Sequence, residues 1–124
     1  MVIVTEEIKK AFDALISEAQ KQVKENPEEM IIVVQTAKDN TYTGFIHEVM
    51  NGDADIDDFL QMLVDAEDAE IKYCVCMLHR EWLEPPHYYL KKRLLEISPK
   101  NEATIFSGQG ENVIVLKTLK EMMP

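Results

Sequence analysis

The residues best suited to chemistry lie close together in the chain. His79, Arg80 and Glu81 leave an apolar run, and His87 precedes a tyrosine pair. Histidine exchanges protons near neutral pH, so His79 and His87 are natural acid–base groups. If the apolar run is a strand, these residues lie beyond its C-terminal end, where open α/β sheets gather their ligands. His79, Arg80, Glu81 and His87 are therefore the expected lining of a cleft. No Ser-His-Asp order, nucleophile elbow or H-E-x-x-H helps to define a reaction.

Cys74 and Cys76 are two apart, so in a strand they share one face. They could be two soft metal ligands, but a structural zinc site takes four and there is no second cysteine pair. A disulfide between them would distort the strand. The spacing predicts two reduced thiols in the core, with no metal and no cofactor assigned.

Two loops have the composition of ligand sites but not their pattern. Ser107-Gly108-Gln109-Gly110 lacks both the GxxxxGK[ST] phosphate loop and the GxGxxG dinucleotide turn, so it reads as a turn. Asn51–Asp58 is rich in carboxylates, as calcium loops are. Counted from Asp53, Asp58 takes the glycine position and Val64 the closing position. Counted from Val49, the loop is faintly similar to a dockerin-type repeat. Val49, Ala54 and Leu60 then stand where ligand, glycine and closing carboxylate belong. No calcium is assigned. Asp53 or Asp55 reads as a helix cap, with Asp57 and Asp58 favoured by the helix dipole.

The charge is lopsided. The chain has 23 acids and 13 bases, a net charge of −10. Between Asp39 and Ile71 there is no Lys or Arg, and this one stretch carries the whole excess. An acidic domain repels phosphate backbones and anionic lipid, so no direct nucleic-acid or membrane contact is expected. Lys91, Lys92 and Arg93 fan out around a helix and read as solvated surface. Asp57, Asp58, Asp65 and Asp68 have no local cation to pair with. Those toward the helix C-terminus also oppose its dipole.

The elements that must position these residues follow from hydrophobic period. Residues 5–25 carry an apolar stripe (Ile8, Phe12, Leu15, Ala19, Val23) and read as a helix capped by Thr5. Met30–Ala37 is a β-branched buried strand, and Tyr42–Val49 a second strand hairpinned to it, with a possible bulge at Gly44. Asp55–Ala66 is a helix, Glu70–Leu78 a central strand, and Tyr89–Ile97 a third helix after Glu84-Pro85-Pro86. Glu102–Phe106 and Val113–Leu116 read as short strands around a turn at Ser107–Asn112. Lys117–Met123 suits strand or helix equally.

The expected fold is one α+β domain over residues 1–124. Its two layers hold a mixed sheet of about five strands and three helices, in the order α-β-β-α-β-α-β-β, the last element open. No apolar run approaches the roughly 20 residues of a membrane span. The N-terminus lacks a basic signal region, so a cytoplasmic location is expected. The charge pattern points first to a small protein-binding or regulatory domain without catalysis, its acidic surface around residues 48–70 meeting a basic protein partner. The alternative is a small enzyme or ligand-binding domain with a pocket near His79 and His87. A homo-oligomer would help so small a domain enclose a pocket, and Met122 and Met123 are candidates for that contact.

Overall fold

The computed structural model describes residues 2–47, 52–107 and 116–123. The order is α1 (Glu6–Glu25), β1 (Met30–Thr36), β2 (Thr41–Ile46), α2 (Gly52–Asp65), β3 (Ile71–Leu78), β4 (Trp82–Glu84), α3 (Tyr88–Ile97), β5 (Ile105–Phe106), β6 (Lys117–Thr118) and α4 (Leu119–Met122). The strands form one sheet in the order β2-β1-β3-β5-β6, with β4 paired to the C-terminal part of β3. β1 is antiparallel to β2 and β3, whereas β3 and β5 are parallel. The α+β class with a mixed sheet is thus as expected.

β1 shows why its first five residues are all apolar. Ile31 and Val33 face α1, where they meet Phe12, Leu15, Ala19 and Val23. Ile32 and Val34 face the other way, toward Phe59, Leu60 and Leu63 of α2 and Leu90 and Leu94 of α3. Alternate residues from Met30 to Val34 feed two cores, so over that stretch no polar side chain can reach water. Helices therefore cover both faces, giving three layers instead of the expected two.

Thr5 caps α1 as expected, its Oγ1 accepting the Ile8 N–H at 3.2 Å. α2 starts at Gly52, earlier than the sequence pattern indicated. Gly44 makes no bulge, because the β1–β2 register runs unbroken from Met30↔Ile46 to Gln35↔Thr41. The irregularity lies instead between Gln35 and Thr36, on the side paired with β3. Gly44 admits the Phe59 ring: a Cβ there would sit 2.7 Å from Phe59 Cδ1.

α2 ends with a paired reversal. The Asp68 N–H donates to the Leu63 carbonyl at 2.9 Å and the Glu67 N–H to the Val64 carbonyl at 3.0 Å. This is the Schellman arrangement, and it puts Glu67 at φ 55°, where glycine is usual.

Buried Asn101 ties α3 to β3. Its Oδ1 accepts the Ile71 N–H at 2.8 Å, and its Nδ2 donates to the carbonyls of Ala69 at 3.0 Å and Leu94 at 2.9 Å. Thr104 Oγ1 adds a 2.7 Å bond to the Ile71 carbonyl.

The C-terminal third departs furthest from expectation. Glu102 and Ala103 end a 3-10 helix (Pro99–Ala103), leaving only Ile105–Phe106 as strand. The expected strand over residues 113–116 lies almost wholly outside the described residues. Residues 117–123 are strand and then helix, the switch made by a Thr118–Glu121 capping box. Met122 and Met123 pack inward against the α2–α3 core. No described helix is long and apolar enough to cross a membrane.

Candidate functional site

β2 and β3 both finish at the end of the sheet where β1 begins, since Met30 pairs with Ile46 and Ile31 with Met77. Glu29 precedes β1 and His47 follows β2, so the hairpin register makes them neighbours. α2 starts beside them. His47 Nε2 lies 2.9 Å from Glu29 Oε1, and Nδ1 lies 3.2 Å from Asp55 Oδ2. The same Asp55 oxygen accepts the His47 backbone N–H at 2.8 Å. That backbone bond, ahead of the imidazole's own contribution, holds the Asp55 carboxyl below the usual range despite partial desolvation. Asp55 therefore stays ionised and fixed to the backbone. The imidazole sits between two carboxylates with 55% of its side chain exposed. Such a ring can take up and release a proton toward solvent or a docked molecule.

α2 and α3 start on the same side, joined by a second cluster. Asp57 accepts the Tyr89 hydroxyl at 2.8 and 2.9 Å and the Arg93 Nε–H at 3.0 Å. Arg93 also reaches Glu96 at 2.8 Å. The bond to Asp57 raises the Tyr89 phenol above its ordinary value.

Three of the residues singled out from sequence share one turn, and the fourth lies shortly after it. His79, Arg80 and Glu81 form the tight turn joining β3 to β4, with Arg80 at φ 62° and Glu81 at φ 59°. Glu81 reaches Lys24 of α1 only at 3.9 Å. His87 is the exposed residue before α3, past the short β4. Two grooves lie at the other end of β3, among Lys10, Gln35, Lys72, Tyr73 and Ile105. The larger, about 410 Å³, lies over the start of β3 between Lys10, Ala14, Gln35 and Tyr73.

The acidic residues are answered from within the chain. Arg93 pairs with Asp57, Lys72 with Asp39 at 2.8 Å, and Lys100 approaches Glu70 at 4.0 Å. Asp68 is buried, where it accepts the Asn40 side-chain N–H at 2.8 Å and the Tyr42 hydroxyl at 2.9 Å. Burial pushes its carboxyl up most strongly of any single influence. Hydrogen bonds from Asn40, Thr36 and Tyr42 and the charge of Lys38 together outweigh that and hold it below its ordinary value. Of the four, Asp58 and Asp65 are exposed and Asp57 is partly exposed beside Arg93; the Gln61 amide donates to Asp65 at 2.8 Å. Lys72, Arg93 and Lys100 lie outside the stretch without Lys or Arg and fold back onto it, which linear spacing cannot reveal.

The sequence pattern singles out neither Glu29 nor His47, and it offers Asp55 only as a helix cap. The usable signal was the hairpin itself: pairing Met30 with Ile46 brings Glu29 beside His47.

The fold is that of cytidine deaminases. The enzyme from Bacillus anthracis matches 90% of this chain and 86% of its own length, with TM-score 0.69 and 12% identity. The enzyme from Mycobacterium leprae covers 91% and 97%, with TM-score 0.69 and 12% identity. A single-residue mutant of the Mycobacterium tuberculosis enzyme covers 91% and 94%, with TM-score 0.70 and 11% identity. No protein-family model and no curated protein matches. The neighbours are enzymes, which overturns the first expectation of a non-catalytic domain acting through an acidic surface. The alternative, a small enzyme or ligand-binding domain, agrees better with them.

Zinc deaminases bind their metal with one His or Cys and two Cys, signed by H-x-E and P-C-x-x-C. The residues here do not fit. H-x-E is spelled only by His79-Arg80-Glu81, in the β3–β4 turn, and no proline is followed by cysteine. Before α3 the chain reads Pro86-His87-Tyr88-Tyr89-Leu90, with Leu90 in the core. Both cysteines lie inside β3 and are buried. Among the described residues no three His, Cys, Asp or Glu side chains converge as a metal site.

Proposed function

We propose that this chain is a small enzyme or ligand-binding domain that takes a small polar molecule at the sheet end where β2 and β3 finish and α2 starts. His47 is its proton-carrying group, Asp55 positions the ring, and Glu29 holds the second ring nitrogen until a ligand displaces it. The observation that carries this reading is the half-exposed imidazole between two carboxylates at 2.9 and 3.2 Å. The likeness to cytidine deaminases supports a nucleoside or nucleobase as the ligand class, and the fully buried, unpaired thiols support a reducing, cytoplasmic setting.

The test is titration of the ¹⁵N-labelled protein with cytidine, cytosine and uridine, following the backbone amides. Shifts centred on His47 and Asp55 that vanish in His47→Gln support the site. Shifts confined to residues around Gln35 and Tyr73 place binding in the other groove and overturn it, as does no response to any of these ligands at millimolar concentration.

A further inference from the structure

We infer that this chain carries no deaminase-type zinc, and that the α2–α3 seam is held instead by the Asp57–Tyr89–Arg93 hydrogen bonds. The whole chain holds too few ligands for such a site. A catalytic zinc takes three protein ligands, and deaminase sites draw them from His and Cys. The chain has five such residues: His47, Cys74, Cys76, His79 and His87.

Cys74 and Cys76 are each 1% exposed and packed in the core that α2 and α3 share. A thiol ligates as thiolate, and burial drives Cys74 well above the ordinary thiol range, with Cys76 beside it adding to the effect. His47 has both ring nitrogens against carboxylates on opposite sides of the ring, so the three groups cannot converge on one ion. Two residues remain, His79 in a hairpin turn and His87 before α3. Two is one short of a site.

The seam between α2 and α3 is already closed by other means. Asp57 receives Tyr89 and Arg93, and Arg93 continues to Glu96. A charged donor in two charge-assisted bonds is a strong and directional tie. The inference rests on ligand count and seam contacts, so it stands or falls separately from any ligand at His47.

The experiment takes the full chain, purified without metal-affinity resin and dialysed against a mild chelator. Elemental analysis is expected to find far less than one zinc per chain. The thermal midpoint is expected not to move with 1,10-phenanthroline, and both thiols to stay unreactive toward a disulfide reagent until denaturant is added. One retained zinc per chain, a chelator-induced fall in midpoint, or a native thiol that reacts fast and is protected by added zinc would each overturn the metal half. Tyr89→Phe and Arg93→Met are expected to lower the midpoint by several degrees with metal content unchanged. Midpoints equal to wild type in both variants would overturn the seam half.

Discussion

Gly44→Ala is expected to loosen the candidate site by way of the core. The added methyl would lie 2.7 Å from Phe59 Cδ1 and 2.8 Å from Cγ, where ordinary contact begins at 3.4 Å. Something must yield by about 0.7 Å. Gly44 is held by the β1 ladder on one side, and Phe59 lies in a packed core, so neither moves freely. Phe59 is one helical turn beyond Asp55, and the same displacement of α2 would stretch the 2.8 Å Asp55–His47 backbone bond to the edge of hydrogen bonding. Overpacking of this kind costs about 1–3 kcal/mol. For a chain of this size, roughly 3–6 °C of melting temperature goes with each kcal/mol. The assay is urea denaturation at fixed pH, with the His47 amide resonance followed in parallel. Phe59→Leu in the same chain should recover part of the loss, because the two substitutions touch the same contact. A Gly44→Ala protein as stable as wild type, with an unmoved His47 amide, would refute the close approach and its link to the site.

Glu67→Gly should stabilise the protein by about 1 kcal/mol, because it removes the left-handed backbone penalty and a negative charge from a helix C-terminus. The gain should exceed that of Glu67→Ala, which removes only the charge; equality of the two in urea midpoint would deny the strain. Asp68→Asn should cost about 1–3 kcal/mol at neutral pH, as a buried charged acceptor of two hydrogen bonds is lost. The folded-state carboxyl is depressed, so its contribution is complete above the ordinary Asp range and fades as pH falls through the depressed value. Wild type and Asp68→Asn should therefore converge in stability below about pH 4, and a gap that persists into strong acid would contradict that origin.

How much was legible in the sequence depended on whether a signal was local. β1 announced itself as a buried strand, since Met30–Val34 is an apolar, mostly β-branched run; that helices cover both of its faces was not drawn from it. The stripe of α1 and the Ile56–Leu63 face of α2 were equally plain. β4 was missed because three residues carry no period, and the strand exists only through pairing with Cys76, Met77 and Leu78. That same hairpin places His79, Arg80 and Glu81 in the turn between two paired strands, which no local period announces. Asp68 looked like surface charge because its partners, Asn40 and Tyr42, are 28 and 26 residues away. His47 gained its meaning from Glu29 across a strand pair. Helical spacing exposes neighbours at three and four residues, but neither of these contacts has such a spacing.

Asn101 has a chemical consequence as the protein ages. All three polar contacts of its amide need an oxygen at one end and a nitrogen with two protons at the other. Spontaneous hydrolysis to aspartate would set a carboxylate oxygen against the carbonyls of Ala69 and Leu94, turning two attractions into repulsions without changing the side chain's shape. The closed geometry that depends on this amide also shields it from attack by the following backbone nitrogen. Molecules that open locally between α3 and β3 would be the ones to suffer the lesion, and once altered they could not reclose in the same way.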